Sequence, residues 1–425
     1  MKKILFLLLA YSLAADGFAQ KTYIWCGALI DGMAAQPKKN ATIVLDGNKI
    51  ISVENGFTSA PAGAKTIDLK TKTVMPGWID MHVHVEGETS PNQYIERFTL
   101  NPGDVAYNAI PLMERTLMAG FTTVRDLGGS GINISLRNAI AKRQVKGPRI
   151  YTAGKGIGTT GGHADPTNGY RKDLMGDPGP AEGVVNSDDD GRKAVRQRYK
   201  DGADLIKITA TGGVLSLAKS GQNPQFTEDE IKAIVLTAKD YGFKVAAHAH
   251  GAEGMKRAIR AGVNSIEHGT MMDDETIELF KKHGTWYVPT ITAGISVGDS
   301  SKKPGYYPDV VARKAAEIGP QLKNTFAKAY KAGVKIAFGT DAGVFKHGQN
   351  WLEFVYMIEG GMPAMEAIKA ATINAADLLG EKDRLGSIET GKLADIIAVD
   401  GDPLTSSQVF GKVVFVMKDG IVYKQ

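Results

Sequence analysis

The feature that most restricts the fold is an alternation. Between residues 76 and 384, short apolar runs and helical stretches follow one another eight times, the runs lying at 79–85, 121–127, 149–154, 205–210, 244–249, 265–269, 286–291 and 335–341. Apolar runs of this length, bounded by turn residues, read as strands buried on both faces. Gly120, Gly242, Gly262, Gly284 and Gly333 stand just ahead of five of them, where a helix ends most cheaply in left-handed backbone. Thr227 and Glu230 make a capping-box pattern that opens the helix between the fourth and fifth runs. Eight such units predict an α/β chain folded as a (β/α)8 TIM barrel. An open doubly wound sheet competes, but no glycine-rich nucleotide fingerprint follows the first run.

The flanks differ. Residues 21–75 and 385–425 are strand-rich, with hairpin turns at Asp46-Gly47-Asn48 and Lys418-Asp419-Gly420. Each is too short for a core of its own, so the two are expected to join as one small β-sandwich domain beside a barrel of residues 76–384. Residues 1–20 read as an export signal: Met1-Lys2-Lys3, an apolar run from Ile4 to Leu13, and the small-x-small site Gly17-Phe18-Ala19. That predicts a periplasmic or secreted protein. No second apolar run of about 18 residues follows, so no membrane span is expected in the mature chain. The single cysteine, Cys26, excludes a disulfide framework and is expected to be a small buried apolar residue. A formal charge of +5 over 425 residues, with no basic run, gives no nucleic-acid footprint. Two long loops, 155–186 and 292–312, are expected on the face where barrel active sites lie.

The chemistry-bearing residues collect at the ends of the runs. His82 and His84 are two apart and share a face with Asp80, whereas Met81, Val83 and Val85 point the other way. Such a pair is either a chelate or a satisfied structural pair. Lys207 lies inside the apolar run Leu205-Ile206-Lys207-Ile208-Thr209, and a buried ammonium needs a partner or a task. It is either salt-bridged or, beside metal ligands, a neutral amine that takes up carbon dioxide as a carbamate. His248 and His250 repeat the two-residue spacing, His268 ends the sixth run, and Asp341 ends the eighth, where a carboxylate suits a metal ligand or a general base.

With these residues in view, the chain resembles the amidohydrolase superfamily in its binuclear, carboxylated-lysine branch. Pro76-Gly77-Trp78-Ile79-Asp80-Met81-His82-Val83-His84 is similar to the first-strand motif, and Gly386 to Asp395 to the re-entry into the small sheet domain. The resemblance implies two divalent ions, zinc by expectation, with His82, His84 and Asp341 on one and His248 and His268 on the other. Lys207 would bridge them as a carbamate, and Asp341 would be the catalytic base. Ala247-His248-Ala249-His250-Gly251, Ile266-Glu267-His268-Gly269 and Gly161-Gly162-His163 resemble a narrower group of Xaa-Pro-type dipeptidases and ochratoxin amidases. That group implies a small dipeptide or N-acyl amino acid as substrate, contacts to it from His163 and His250, and a homo-oligomer. His347 is expected at the surface and His283 at a helix end. A cyclic-amide hydrolase or a deaminase of the same superfamily is an alternative; Lys207 argues against the deaminase and against an imidazolonepropionase-like enzyme. A non-catalytic binding protein on this scaffold is disfavoured by the full ligand set.

Overall fold

The computed structural model describes residues 21–319 and 321–425; the expected export signal lies outside them. Fourteen strands are formed among these residues: β1 Thr22–Leu29, β2 Lys38–Asp46, β3 Lys49–Asn55, β4 Lys65–Pro76, β5 Trp78–Val83, β6 Phe121–Asp126, β7 Arg149–Thr152, β8 Ile206–Thr209, β9 Val245–Ala249, β10 Ser265–His268, β11 Trp286–Val288, β12 Ile396–Val399, β13 Val413–Lys418 and β14 Ile421–Lys424.

Strands from both flanks hydrogen-bond in one sheet, in the order β14-β13-β12-β4-β1-β2-β3. β4 joins them, pairing in parallel with β1 and antiparallel with β12. One buried cluster serves this sheet, with Ile24, Cys26, Ile43 and Ile67 from the front of the chain and Ile396, Ala398 and Phe415 from its back. Cys26 is fully buried and unpaired, and burial pushes its thiol up. It is therefore a packing residue.

The middle of the chain supplies seven parallel strands in two sheets, β5-β6-β7 and β8-β9-β10-β11. The expected eighth strand forms no regular strand. Residues 335–342 instead bridge singly to β11 at Tyr287–Ile336 and to β5 at Val83–Ala342. Backbone bonds from Met81 N to Phe338 O (2.9 Å), Asp341 N to His82 O (2.7 Å) and His84 N to Ala342 O (2.7 Å) hold that segment. Its ladder is interrupted because Asp341 turns to φ 61°, outside the β region. At the opposite seam Ile157 bonds to the backbone of Lys207 and Thr209 at 2.8 and 3.0 Å.

The helix-ending glycines behave as the sequence predicts; Gly262 and Gly284, for example, cap their helices at φ 96° and 67°. The capping box forms too, with Thr227 N donating to Glu230 Oε2 at 2.8 Å. The expected loop at 292–312 is a correction. Most of it is helical, as Ile291–Ser301 and the start of Asp309–Ile318. Its Gly- and Ser-rich composition disguises a helix whose first turn is capped from outside by Glu353, a partner that local sequence cannot reveal. Residues 155–186 do stay largely irregular, with one short helix at Lys172–Met175.

Beneath β5, Trp78 is fully buried against Phe121, Phe354 and Phe410, with ring centroids 5.4, 4.9 and 5.8 Å away. Phe410 belongs to the turn between β12 and β13, so this aromatic cluster fastens the seven-stranded sheet to the parallel strands. Arg149 of β7 adds an ionic tie, reaching Asp395 at 2.7 Å and Asp419 at 2.6 Å. No helix among the described residues is long and apolar enough to cross a membrane. Trp78→Ala opens a cavity at the joint and is expected to cost about 3–5 kcal/mol, read from the midpoint of denaturant unfolding.

Candidate active site

The carboxyl ends of β5, β9 and β10, with the loop after β7, bring six of the eight histidines together. Ring centroids of His82 and His268 lie 5.0 Å apart, His248 and His268 4.6 Å, His248 and His250 4.6 Å, and His163 and His248 4.4 Å. His84 lies 5.5 Å from His82. Asp341 enters from the far side, 3.4 Å from His82 Nε2 and 3.3 Å from His84 Nε2. Among the described residues, one group of side chains could hold a metal ion: His82, His268 and Asp341, whose donor atoms all lie within 4.8 Å of one another.

Each expected ligand ring is held by one nitrogen and presents the other. His82 Nδ1 meets Glu267 Oε2 at 3.0 Å, His84 Nδ1 the carbonyl of Gly128 at 2.8 Å, and His268 Nδ1 the hydroxyl of Thr290 at 2.7 Å. His248 is held the other way round, through Nε2 to the carbonyl of Gly212 at 2.9 Å. A carboxylate or carbonyl on one nitrogen of His82, His84 and His248 fixes the tautomer and directs the other nitrogen to the site, and the Thr290 hydroxyl does the same for His268 when it accepts from Nδ1. Asp341 Oδ1 is buried and accepts no hydrogen bond. A ring of lone pairs around an unsatisfied carboxylate oxygen is costly unless a cation sits among them. The donor set therefore fits a divalent metal of the kind that takes nitrogen and carboxylate ligands.

Burial sets the protonation states. It holds His82 at about 4, with the charge of Lys207 adding to the effect. It carries His248 and His268 well below the usual imidazole range. All three are neutral at pH 7, as ligands must be. Lys207 is 5% exposed and has no hydrogen-bond or ion-pair partner among the described residues. Desolvation lowers its ammonium to about 8. The salt-bridge alternative for Lys207 thus finds no partner, while its charge reaches His82, His248, His268 and Asp341 electrostatically.

The two histidines expected to meet substrate lie beside the ligands. His250 accepts or donates through Nδ1 at Thr270 Oγ1 (2.7 Å), and its ring stacks on His268. His163 comes from the irregular loop after β7, its backbone N bonded to Gln225 Oε1 at 2.9 Å and its Nδ1 buried without a partner. Gly213 lies so close that a Cβ there would stand 2.3 Å from the His163 ring, which only glycine avoids. His347 corrects an expectation. It is 3% exposed, with one ring nitrogen on Thr116 Oγ1 and the other on the carbonyl of His84, both at 3.0 Å. With both nitrogens engaged behind His84, it is neither at the surface nor free for substrate.

Sequence reasoning passed over Arg125 and Glu267. Arg125 donates to Glu267 Oε1 at 2.8 Å, to Ser265 Oγ at 3.1 Å and to the carbonyl of Met81 at 2.6 Å. Burial opposes ionisation of Glu267, but Arg125 and His82 outweigh it and hold the carboxylate at about 2. The signal was available: two opposite charges sit inside apolar strands, and neither is tolerable there alone.

The amidohydrolase family's sequence profile matches residues 73–423. The chain belongs to the amidohydrolase family. It is 33% identical to ochratoxinase of Aspergillus niger over 432 residues, covering 97% of this chain and 88% of that protein. A solved Xaa-Pro dipeptidase with methionine bound in its active site superposes with a TM-score of 0.93 at 55% identity, over 96% of this chain and all of the other. A prolidase complexed with N-methylphosphonate-L-proline gives 0.87 at 31% identity, over the same shares. This amidohydrolase is thus a hydrolase of amide or peptide bonds in the dipeptidase and ochratoxinase group. Its relatives imply a TIM-barrel fold with an additional domain, and divalent metals are typical of the family.

His250 is held by burial at about 3, so it stays neutral in the fold while an unfolded imidazole titrates near 6.5. Below that pH the unfolded chain binds the extra proton. The chelator-treated protein is therefore expected to lose stability as pH falls from 6.5 towards 3, by about 1.4 kcal/mol per unit for this one ring. His250→Gln should flatten that acid limb in denaturant titrations; an unchanged slope would show that the ring is not a source of it.

Proposed function

We propose that the chain hydrolyses the amide bond of dipeptides or N-acyl amino acids, ochratoxin-like aryl amides included, at a binuclear metal site carrying a carbamate on Lys207. The observation that carries this reading is the set of inward lone pairs around the unsatisfied Asp341 carboxylate. His82, His84 and Asp341 would hold one cation and His248 and His268 the other, with the Lys207 carbamate between them. Zinc suits this donor set. When bound, the cations supply a nucleophilic hydroxide from water near neutral pH and polarise the scissile carbonyl.

The remaining steps belong to the protein. Lys207, without a hydrogen-bond or ion-pair partner among the described residues and shifted by burial towards the neutral amine, can add to carbon dioxide through Nζ and lose a proton, becoming an anionic carbamate. Asp341, at the mouth and accepting no hydrogen bond through Oδ1, takes up the proton of the attacking water and passes it to the leaving nitrogen. Glu267, fixed by Arg125, keeps the His82 ring turned so that Nε2 faces Asp341. His163 and His250, neutral and beside the ligands, offer hydrogen bonds to a substrate carbonyl or carboxylate. The similar proteins support the substrate class: a Xaa-Pro dipeptidase holding a free amino acid, a prolidase holding a proline derivative, and an ochratoxinase.

We read the two parallel sheets with residues 335–342 as a closed eightfold barrel of residues 76–384. Residues 21–75 and 385–425 are its companion sandwich, and residues 1–20 a signal for periplasmic or secreted export. A homo-oligomer is part of the same reading.

The test is a screen of dipeptides, Xaa-Pro substrates among them, and N-acyl aromatic amino acids with metal-reconstituted enzyme. Release of the free amino acid is expected; failure across the whole panel would overturn the substrate class. Asp341→Asn should lower kcat by about 10²–10⁴-fold. Lys207→Ala should reduce metal content by elemental analysis, and two metals per chain with full activity in that variant would remove the carbamate from the mechanism.

A further inference from the structure

Six non-glycine residues among those described have positive φ, and three of them, His268 at 72°, Thr290 at 52° and Asp341 at 61°, belong to this one site. Thr290 is the least comfortable of the three. A β-branched side chain in left-handed backbone crowds its own carbonyl and is rarely seen. Strain of this kind persists only where surrounding contacts over-determine it, and it gathers at functional positions.

The contacts are present. Thr290 N donates to the carbonyl of Gly339 at 3.1 Å. The next two residues open the helix Ile291–Ser301, and their backbone N–H groups both donate to the buried carboxylate of Glu353 at 2.8 Å. The Thr292 hydroxyl adds a third bond to it at 2.6 Å. Glu353 is itself fully buried, so the helix start is clamped from the segment that follows Asp341. The clamp delivers one result at the site: Thr290 Oγ1 lies 2.7 Å from His268 Nδ1.

We propose that Thr290 is a positioning residue for His268. Its hydroxyl, held in place by strained backbone braced on Glu353, ties up Nδ1 so that the Nε2 lone pair is the one presented towards His82 and Asp341. The residue touches neither substrate nor metal; it acts through the imidazole. The inference rests on the metal-site reading above and adds to it a group from the turn after β11, an element that supplies none of the expected ligands.

The test compares Thr290→Val, which keeps the branched shape and removes the hydroxyl, with Thr290→Ser, which keeps the hydroxyl. Chelator-stripped protein is titrated with Zn²⁺ against a competing chelator, and the thermal midpoint of the stripped chains is recorded alongside. Thr290→Val should bind metal about 10–100-fold more weakly, in the range typical for lost outer-shell partners, while its stripped form melts within a few degrees of the parent. Thr290→Ser should bind within about threefold of the parent, as its hydroxyl still reaches Nδ1. Equal affinity of parent and Thr290→Val overturns the proposal, and so does an equal loss in both variants, since the hydroxyl would then not be the active group. Should Thr290→Val not fold, Thr290→Ala loses the same hydroxyl with less crowding and carries the same expectation. A parent chain that binds no Zn²⁺ overturns both this proposal and the metal-site reading; a parent that binds it while Thr290→Val is unaffected overturns this proposal alone.

Discussion

Asp341 Oδ1 is buried and faces Nε2 of His82, which burial keeps unprotonated, and Nε2 of His84, where burial is outweighed by the Asp341 charge and the pKa is raised. Everything else at the mouth of the parallel strands is arranged around that uncompensated oxygen. Glu267, Gly128, Gly212 and Thr290 each engage one nitrogen of these rings. Nitrogen and carboxylate donors gathered in this way suit a divalent cation.

Much of this was legible in the sequence, for reasons that can be named. The two-residue spacing of His82 and His84 gives a shared face in any strand, and the glycines before five runs mark helix ends by a requirement that is purely local. Lys207 stood out because an ammonium inside an apolar strand must be explained. The helix ends marked by Gly262 and Gly284 are found where that local rule puts them.

It stopped where partners are distant in sequence. Glu353 caps a helix some 60 residues away, so a segment rich in glycine and serine looked like loop and is helix. His347 looked like a surface residue because nothing near it announces Thr116 or the carbonyl of His84. The positive φ of His268 and Asp341 breaks the alternation that strand parity relies on. Glu267 and His268, adjacent in the chain, accordingly both serve the same cluster. The eighth strand fails to form regularly for the same reason at Asp341, so the distortion that hid the strand is the one that aims the carboxylate.

The seven-stranded sheet has a consequence for how the chain comes to be folded. β4 lies between β1 and β12, and β12 begins roughly 320 residues after β4 ends. During synthesis, that edge of β4 waits for its partner for on the order of tens of seconds at ordinary elongation rates. A waiting edge that carries Val74 and Met75 is a template for pairing with another chain. The parallel strands are translated in the interval, so Arg149 precedes in the chain the Asp395 and Asp419 that it finally holds. The two ends of this polypeptide are therefore sequential in time as well as adjacent in space, and the vulnerable period of its biogenesis is set by the length of its catalytic unit.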